Sequence, residues 1–294
     1  MHVFITGGTG LIGSAVVAEL LGAGHTVLAL TRSDTAAAAA QRAGATTIRG
    51  ALSDLDAIRK GAEQSDGAIH LAFSNDFSSL EALTSSISEE TAAITAIGNE
   101  FVDSHRPFAI VSGTPWIAGR ASTEDDPLPT DGPVGGRGRT VAATLELADR
   151  GVRTSAIRMP RTVHNNGSGG FAGLLTQIAR RTGISGYPGD GTQRWPAVHA
   201  LDAAVLFRLA LENAPAGSSW HAVADEGDPV RDIAEVIAKK LEVPAQQVPH
   251  ESFGALGEVF AMDQPSSSDK TRTGLSWTPT HLSLLDDLDQ NLQP

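Results

Sequence analysis

Near the start of the chain, glycines recur at three-residue spacing in Thr6-Gly7-Gly8-Thr9-Gly10-Leu11-Ile12-Gly13. The chemistry this spacing serves is the holding of a phosphate chain. Gly7 permits a tight turn off a preceding apolar run. Gly10 lets the backbone approach a pyrophosphate with no side chain between, and Gly13 lets the following helix pack closely. The free N–H groups and partial positive charge of that helix N-terminus then face the phosphates. Gly7, Thr9, Gly10, Leu11, Ile12 and Gly13 are therefore the expected first contacts of a dinucleotide.

The end of the second apolar run decides between NAD and NADP. An acidic residue there binds both ribose hydroxyls of NAD, but this chain has Thr31, Arg32 and Ser33. Arg32 offers a two-point, charge-assisted contact to a 2′-phosphate, and Ser33 adds a hydrogen bond. NADP(H) is the expected cofactor. Asp34 competes as a ribose-binding acid but reads better as the N-cap of the alanine-rich helix behind it.

Other chemistries find little support. Cysteine is absent, which excludes disulfides, thiol nucleophiles and thiolate metal sites. The nine histidines show no close ligand spacing, so no metal is expected. No Gly-x-Ser-x-Gly nucleophile elbow occurs. His199 and Asp202 read as a helix cap or a buried hydrogen-bonded pair, His70 as a satisfied core histidine, and Asp286, Asp287 and Asp289 as a solvated helix face.

The elements that must position the glycine turn alternate regularly. Strand-length apolar runs at 2–6, 25–30, 46–50, 67–73, 108–112 and 153–160 are separated by helical stretches at 11–24, 35–45, 53–63, through 91–105, and 139–151. Short connections between them predict an α/β fold with a doubly wound parallel, Rossmann-like sheet. Two long loops, 120–139 and 161–170, follow strand carboxyl ends, where open sheets of this kind bind ligands. Residues 1–160 are expected to form the NADP-binding domain. Residues 161–294 are expected to form mainly a smaller α+β substrate lobe, with segments at about 195–225 returning to the Rossmann sheet.

Bulk properties narrow the partners. The 294 residues carry a formal net charge of −12 with 41% hydrophobic residues. That balance argues against nucleic acid or an anionic membrane as the main partner, and leaves a small molecule as the expected one. No run approaches the roughly 18 apolar residues of a spanning helix. The start lacks a signal-peptide pattern, so a cytoplasmic protein is expected.

The glycine turn resembles that of the extended and atypical short-chain dehydrogenase/reductase superfamily, the group of the sugar-nucleotide epimerases and dehydratases, and the resemblance runs almost the full length. Ala-Ile-His-Leu-Ala-Phe (68–73) resembles the family's fourth-strand motif, Ile-Val-Ser-Gly-Thr-Pro-Trp-Ile-Ala-Gly (110–119) its fifth-strand segment, and Ile-Arg-Met-Pro-Arg-Thr-Val-His-Asn-Asn-Gly (157–167) the Arg-x-Pro segment lining the nicotinamide. Later landmarks are Arg-Trp-Pro-Ala-Val-His-Ala-Leu-Asp (194–202) and Thr-Gly-Leu-Ser-Trp-Thr-Pro (273–279).

The resemblance implies further site residues. Leu52, Leu71, Ala72, Pro160 and Val163 would touch the cofactor, and Phe73, Trp116 and Arg194 the substrate. Thr114 falls at the hydroxyl that polarises a carbonyl. The family's catalytic Tyr and the Lys four residues later are replaced here by Gly138 or Arg139 and by Ala142 or Ala143, and the chain's one Tyr is Tyr187. His164, with near-neutral acid–base chemistry, and Arg139 are the substitutes expected to serve catalysis. The functional expectation is an NADPH-dependent reductase of a small carbonyl, enone or imine compound with a non-standard proton donor. A cofactor-retaining isomerase, epimerase or lyase, and a non-catalytic NADP(H) sensor, are the open alternatives. A homodimer through the fourth and fifth helices is the fold-level expectation.

Overall fold

The computed structural model describes residues 1–74 and 79–294. The first half alternates as the spacing predicts. It runs β1 (His2–Thr6), α1 (Leu11–Gly22), β2 (Thr26–Thr31), α2 (Asp34–Arg42), β3 (Thr46–Arg49), α3 (Leu55–Glu63), β4 (Gly67–His70), α4 (Leu80–Glu100), β5 (Pro107–Gly113), α5 (Gly135–Leu145) and β6 (Arg153–Met159). A 3₁₀ turn over Glu146–Arg150 continues α5. Then come β7 (Thr162–His164), α6 (Gly170–Thr182), β8 (Ser185–Pro188), β9 (Arg194–His199), α7 (Ala200–Asn213), β10 (Ser218–His221), β11 (Asp225–Pro229), α8 (Val230–Leu241) and β12 (Ala245–Val248). Three short helices end the chain: α9 (Gly257–Phe260), α10 (Asp269–Gly274) and α11 (Leu284–Asn291).

Seven strands form one sheet in the order β10-β6-β5-β4-β1-β2-β3, and every pairing in it is parallel. Helices cover both faces, so the central strands are apolar throughout rather than alternating. In β1 every residue from Val3 to Thr6 is buried. One face packs α1 and α7 against the sheet around Val16, Leu20, Phe207 and Trp220. The other packs α3, α4 and α5 around Phe4, Ile58, Phe101 and Phe108. Each such side chain contributes roughly 1.5–3 kcal/mol of burial.

The smaller lobe has a three-stranded sheet, β11-β9-β7, and a parallel pair, β12-β8. Its core is Trp195, Phe253, Phe260, Ile233 and Leu284, separate from the two cores of the main sheet. The chain returns to the main sheet through α7 and through β10, which pairs with β6 at the sheet edge.

Some local expectations change. Ser33, not Asp34, caps α2 by accepting from Ala36 N at 3.2 Å. Asp34 instead pairs with Arg49 across 3.4 Å. Asp54 caps α3, accepting from Ala57 N at 3.1 Å. α5 begins at Gly135, four residues before the predicted helix.

Candidate functional site

The strand order reverses between β1 and β4, which opens a crevice at their carboxyl ends, the ligand position of doubly wound sheets. Thr6 and His70 close these two strands side by side. Thr6 Oγ1 accepts from Ala72 N at 3.4 Å and lies 2.9 Å from His70 Nδ1. The Thr6 hydroxyl and the His70 ring thus form one buried hydrogen-bonded pair. His70 is buried as expected, but Nε2 has no hydrogen-bond partner among the described residues, so the ring is only half satisfied there. Burial first, and the Arg137 charge second, pull its pKa down to about 3.

The glycine turn has the geometry a pyrophosphate requires. Gly7 has φ +75°, and a Cβ there would lie 2.8 Å from Ala72 N. A Cβ on Gly13 would lie 2.0 Å from Gly7 O, so only glycine lets α1 start this close to the turn. At Gly10 a Cβ would meet only Gly7 O, at 3.5 Å, and otherwise project into open space. No side chain caps α1. A crevice of about 370 Å³ runs from Gly7, Thr9 and Gly10 past Thr31 and Arg32 to Ala51, Leu52, Leu71, Ala72 and Phe73. Arg32 is exposed there and has no carboxylate partner among the described residues. The Ser33 hydroxyl, having accepted from the helix, still has its O–H to donate. These residues fit a dinucleotide.

A second cleft of about 480 Å³ continues beyond Ile12, Leu71 and Phe73. Its walls are Val111, Met159, Pro160, Phe171 and Val259, and its polar groups are Ser112, Thr114, Arg137, Arg161 and Gln264. The hydroxyls of Ser112 and Thr114 are buried and lack hydrogen-bond partners among the described residues. Gln264 Nε2 donates to Thr114 O at 2.9 Å, which ties the Thr114 loop to the lobe.

Arg137, which sequence reasoning passed over, borders this cleft. Its Nε and Nη2 donate to the two oxygens of Glu90 at 2.8 and 2.7 Å. Its guanidinium lies 4.4 Å from the centre of the Phe73 ring, a cation–π distance. Burial holds the Glu90 carboxyl above its usual range, although Arg137 opposes that shift.

Several expected site residues lie elsewhere. Arg139 is exposed and donates to Thr130 O, outside the cleft. A Cβ on Gly138 would fall 2.0 Å from Pro129 O, so the loop crosses closely over the start of α5. His164 is 1% exposed, and its Nδ1 lies 2.7 Å from Asp287 Oδ2. It stands edge-on to His199, 5.3 Å between centroids, on the lobe sheet rather than in the cleft. Asp287 is correspondingly buried, not part of a solvated face. His164, His199 and Asp287 gather within 4.8 Å, contrary to the expectation from sequence spacing. His199 Nδ1, however, accepts from Leu201 N, so the proton of a neutral ring occupies Nε2 and blocks it as a ligand. His199 thus caps α7, while Asp202 pairs with His281 at 2.8 Å.

Trp116 is 50% exposed and donates to Asp263 O at 3.0 Å, so it stands on the rim instead of walling the cleft. Arg194 is neutralised by both oxygens of the same Asp263, at 3.0 and 2.8 Å. Val163 packs into the main core, and Leu11 is 40% exposed beside the turn.

Comparison with known proteins places this arrangement. The NAD dependent epimerase/dehydratase family matches residues 3–134. The chain is 42% identical to an uncharacterized protein of Schizosaccharomyces pombe over 98% of both chains. It is 27% identical to the 3-diazoavenalumate denitrifying reductase of a Streptomyces species, over 98% of this chain and 99% of that one. Its fold is similar to that of DesIV, a dTDP-glucose 4,6-dehydratase of Streptomyces venezuelae solved with NAD bound, with TM-score 0.79, 18% identity, and 99% and 95% of the two chains covered. The chain belongs to one family with that Schizosaccharomyces pombe protein, and over residues 3–134 it resembles the NAD dependent epimerase/dehydratase family. Among the described residues no helix is long and apolar enough to cross a membrane.

Proposed function

We propose that the protein is an NADPH-dependent reductase of a small carbonyl, enone or imine compound. The observation that carries this reading is the cleft beyond the glycine turn. There the unpartnered hydroxyls of Ser112 and Thr114 share one apolar-walled space with the fixed cation of Arg137. Gly7, Gly10 and the open start of α1 would hold the pyrophosphate, Arg32 and Ser33 the 2′-phosphate, and Leu52 and Ala51 the adenine side. Bound there, the cofactor supplies a hydride. The relative named as a reductase supports the reductive direction.

The chain's own groups do the rest. Thr114 donates a hydrogen bond to the oxygen or nitrogen of the acceptor, with Ser112 beside it. Arg137 stabilises the negative charge that develops on that atom, and Glu90 holds the guanidinium in place. α5 contains neither Tyr nor Lys, and a guanidinium does not give up its proton. The final proton therefore comes to the acceptor atom from water. The test is a screen for NADPH consumption against ketones, enones and imines. Turnover of one of these classes is expected. Tight NADPH binding with no turnover of any would favour a sensor instead.

A further inference from the structure

Three arginines, two of them in the cleft, differ in what meets the Nε–Nη2 edge of the guanidinium. In Arg137 that edge faces both oxygens of Glu90. In Arg194 it faces both oxygens of Asp263. In Arg161 it faces no carboxylate among the described residues. Nη1 is anchored to Val259 O at 2.7 Å, while Nε is buried without a hydrogen-bond partner and Nη2 makes no hydrogen bond among the described residues. The guanidinium lies 5.3 Å from the centre of the Phe171 ring, and that ring packs on Trp195 and Phe260. The side chain is thus anchored at one nitrogen and flanked by a supported ring.

A buried cation without a counter-charge is costly, because burial disfavours the charged form. The cost is visible here, since burial alone pulls the Arg161 guanidinium down to about 10. Arg158, on the preceding strand, contrasts with it. That side chain donates to the carbonyls of Glu124 and Asp126, and the Glu124, Asp125 and Asp126 carboxylates offset its burial. Arg161 lines the same cleft as Thr114, between the apolar walls of Met159, Phe171 and Val259.

We infer that the acceptor carries a carboxylate, on an aromatic or otherwise unsaturated skeleton, and that the Nε–Nη2 edge of Arg161 binds it. This rests on the reading of the cleft as the substrate site. The Nε–Nη2 edge matches a carboxylate through two parallel hydrogen bonds. The bound carboxylate orients the skeleton along the apolar walls, with its electrophilic atom toward Thr114. Arg161 is on this account a binding and specificity residue, distinct from Arg137, whose edge the protein itself fills.

The experiment is calorimetric titration of the NADP⁺-saturated protein with benzoate and with benzamide, its neutral counterpart. Benzoate is expected to bind at least about 10-fold more tightly, the worth of a charged hydrogen-bond pair. Arg161→Met is expected to abolish that preference, and Arg161→Lys to keep part of it. Equal binding of the two probes, absence of benzoate binding, or a preference that survives in Arg161→Met would overturn the inference. If Arg161→Met does not fold, the wild-type comparison and the Lys variant decide. Binding needs no turnover, so a benzoate preference without any reductase activity would count against the reductase reading alone.

Discussion

Arg137 on α5 and Glu90 on α4 are joined by two hydrogen bonds of 2.8 and 2.7 Å, with Glu90 2% exposed. The pair locks two helices together and fixes a cation where the site opens. Removing one partner strands the other in a low-dielectric setting, which typically costs about 3 kcal/mol or more when the pair is buried. Arg137→Met is expected to lower stability by an amount approaching that figure and to lower turnover at least ~10-fold. Glu90→Gln/Arg137→Met should be less destabilised than the two single changes summed. Chemical denaturation of the four proteins checks this. Additive losses would show that the pair is not coupled.

Thr114 gives a prediction with opposite signs for stability and activity. Its hydroxyl is buried without a partner, a deficit of about 1–3 kcal/mol. Thr114→Val keeps the shape and removes the deficit. The variant is expected to be as stable as the natural protein or more so, and to turn over at least ~10-fold more slowly. Unchanged turnover would remove Thr114 from the chemistry.

Cofactor choice is tested at Arg32. Arg32→Ala should weaken NADPH binding by about 10- to 100-fold, the worth of a charge-assisted contact, and leave NADH binding unchanged. Fluorescence titration with both nucleotides measures this. Equal affinity of the natural protein for NADPH and NADH would contradict the clamp.

Two buried histidines and one half-buried carboxyl contribute opposite slopes to the acid behaviour of the fold. Burial lowers His70 from 6.5 to about 3 and His221 from 6.5 to about 4. Below pH 6.5 the unfolded chain binds protons on these rings that the folded chain does not, so stability falls as pH falls. Asp228 works the other way. Burial, with repulsion from Asp225, Asp232 and Asp286, raises it from 3.8 to about 6. The folded chain therefore binds a proton there first, and stability rises as pH falls from about 6 to 3.8. Asp228→Asn removes that offset, and its melting temperature should drop more steeply than that of the natural protein between pH 6 and pH 4. A shallower drop would contradict the assignment.

The sheet was legible because its strands are continuous apolar runs with glycine between strand and helix, as in His2–Thr6 followed by Gly7, Gly10 and Gly13. The crevice along the glycine turn was legible for the same reason, since backbone geometry there depends on residue type. The α5 register was not. Gly135, Gly136 and Gly138 are poor helix formers, and the helix was expected from Arg139, the residue that also fell at the family's Tyr position. Gly135 and Gly138 lie where the 128–130 loop crosses that turn of helix, and Gly136 lies against Ile87. They were the signal that could have moved the helix start. His164 was misplaced for another reason. Its partner Asp287 lies 123 residues away, and nothing local in the sequence marks that contact. Arg161 was hidden likewise, since only the three-dimensional packing shows that no acid meets it.

The central claim is hydride transfer without a tyrosine proton donor. Its most direct test is NADPH carrying deuterium at the transferable C4 position, incubated with the protein and the best acceptor from the ketone, enone and imine screen, with the product analysed by mass spectrometry. The account predicts one deuterium on carbon in the product and a second, exchangeable proton drawn from solvent. A product free of deuterium, with the cofactor recovered unchanged, would contradict it.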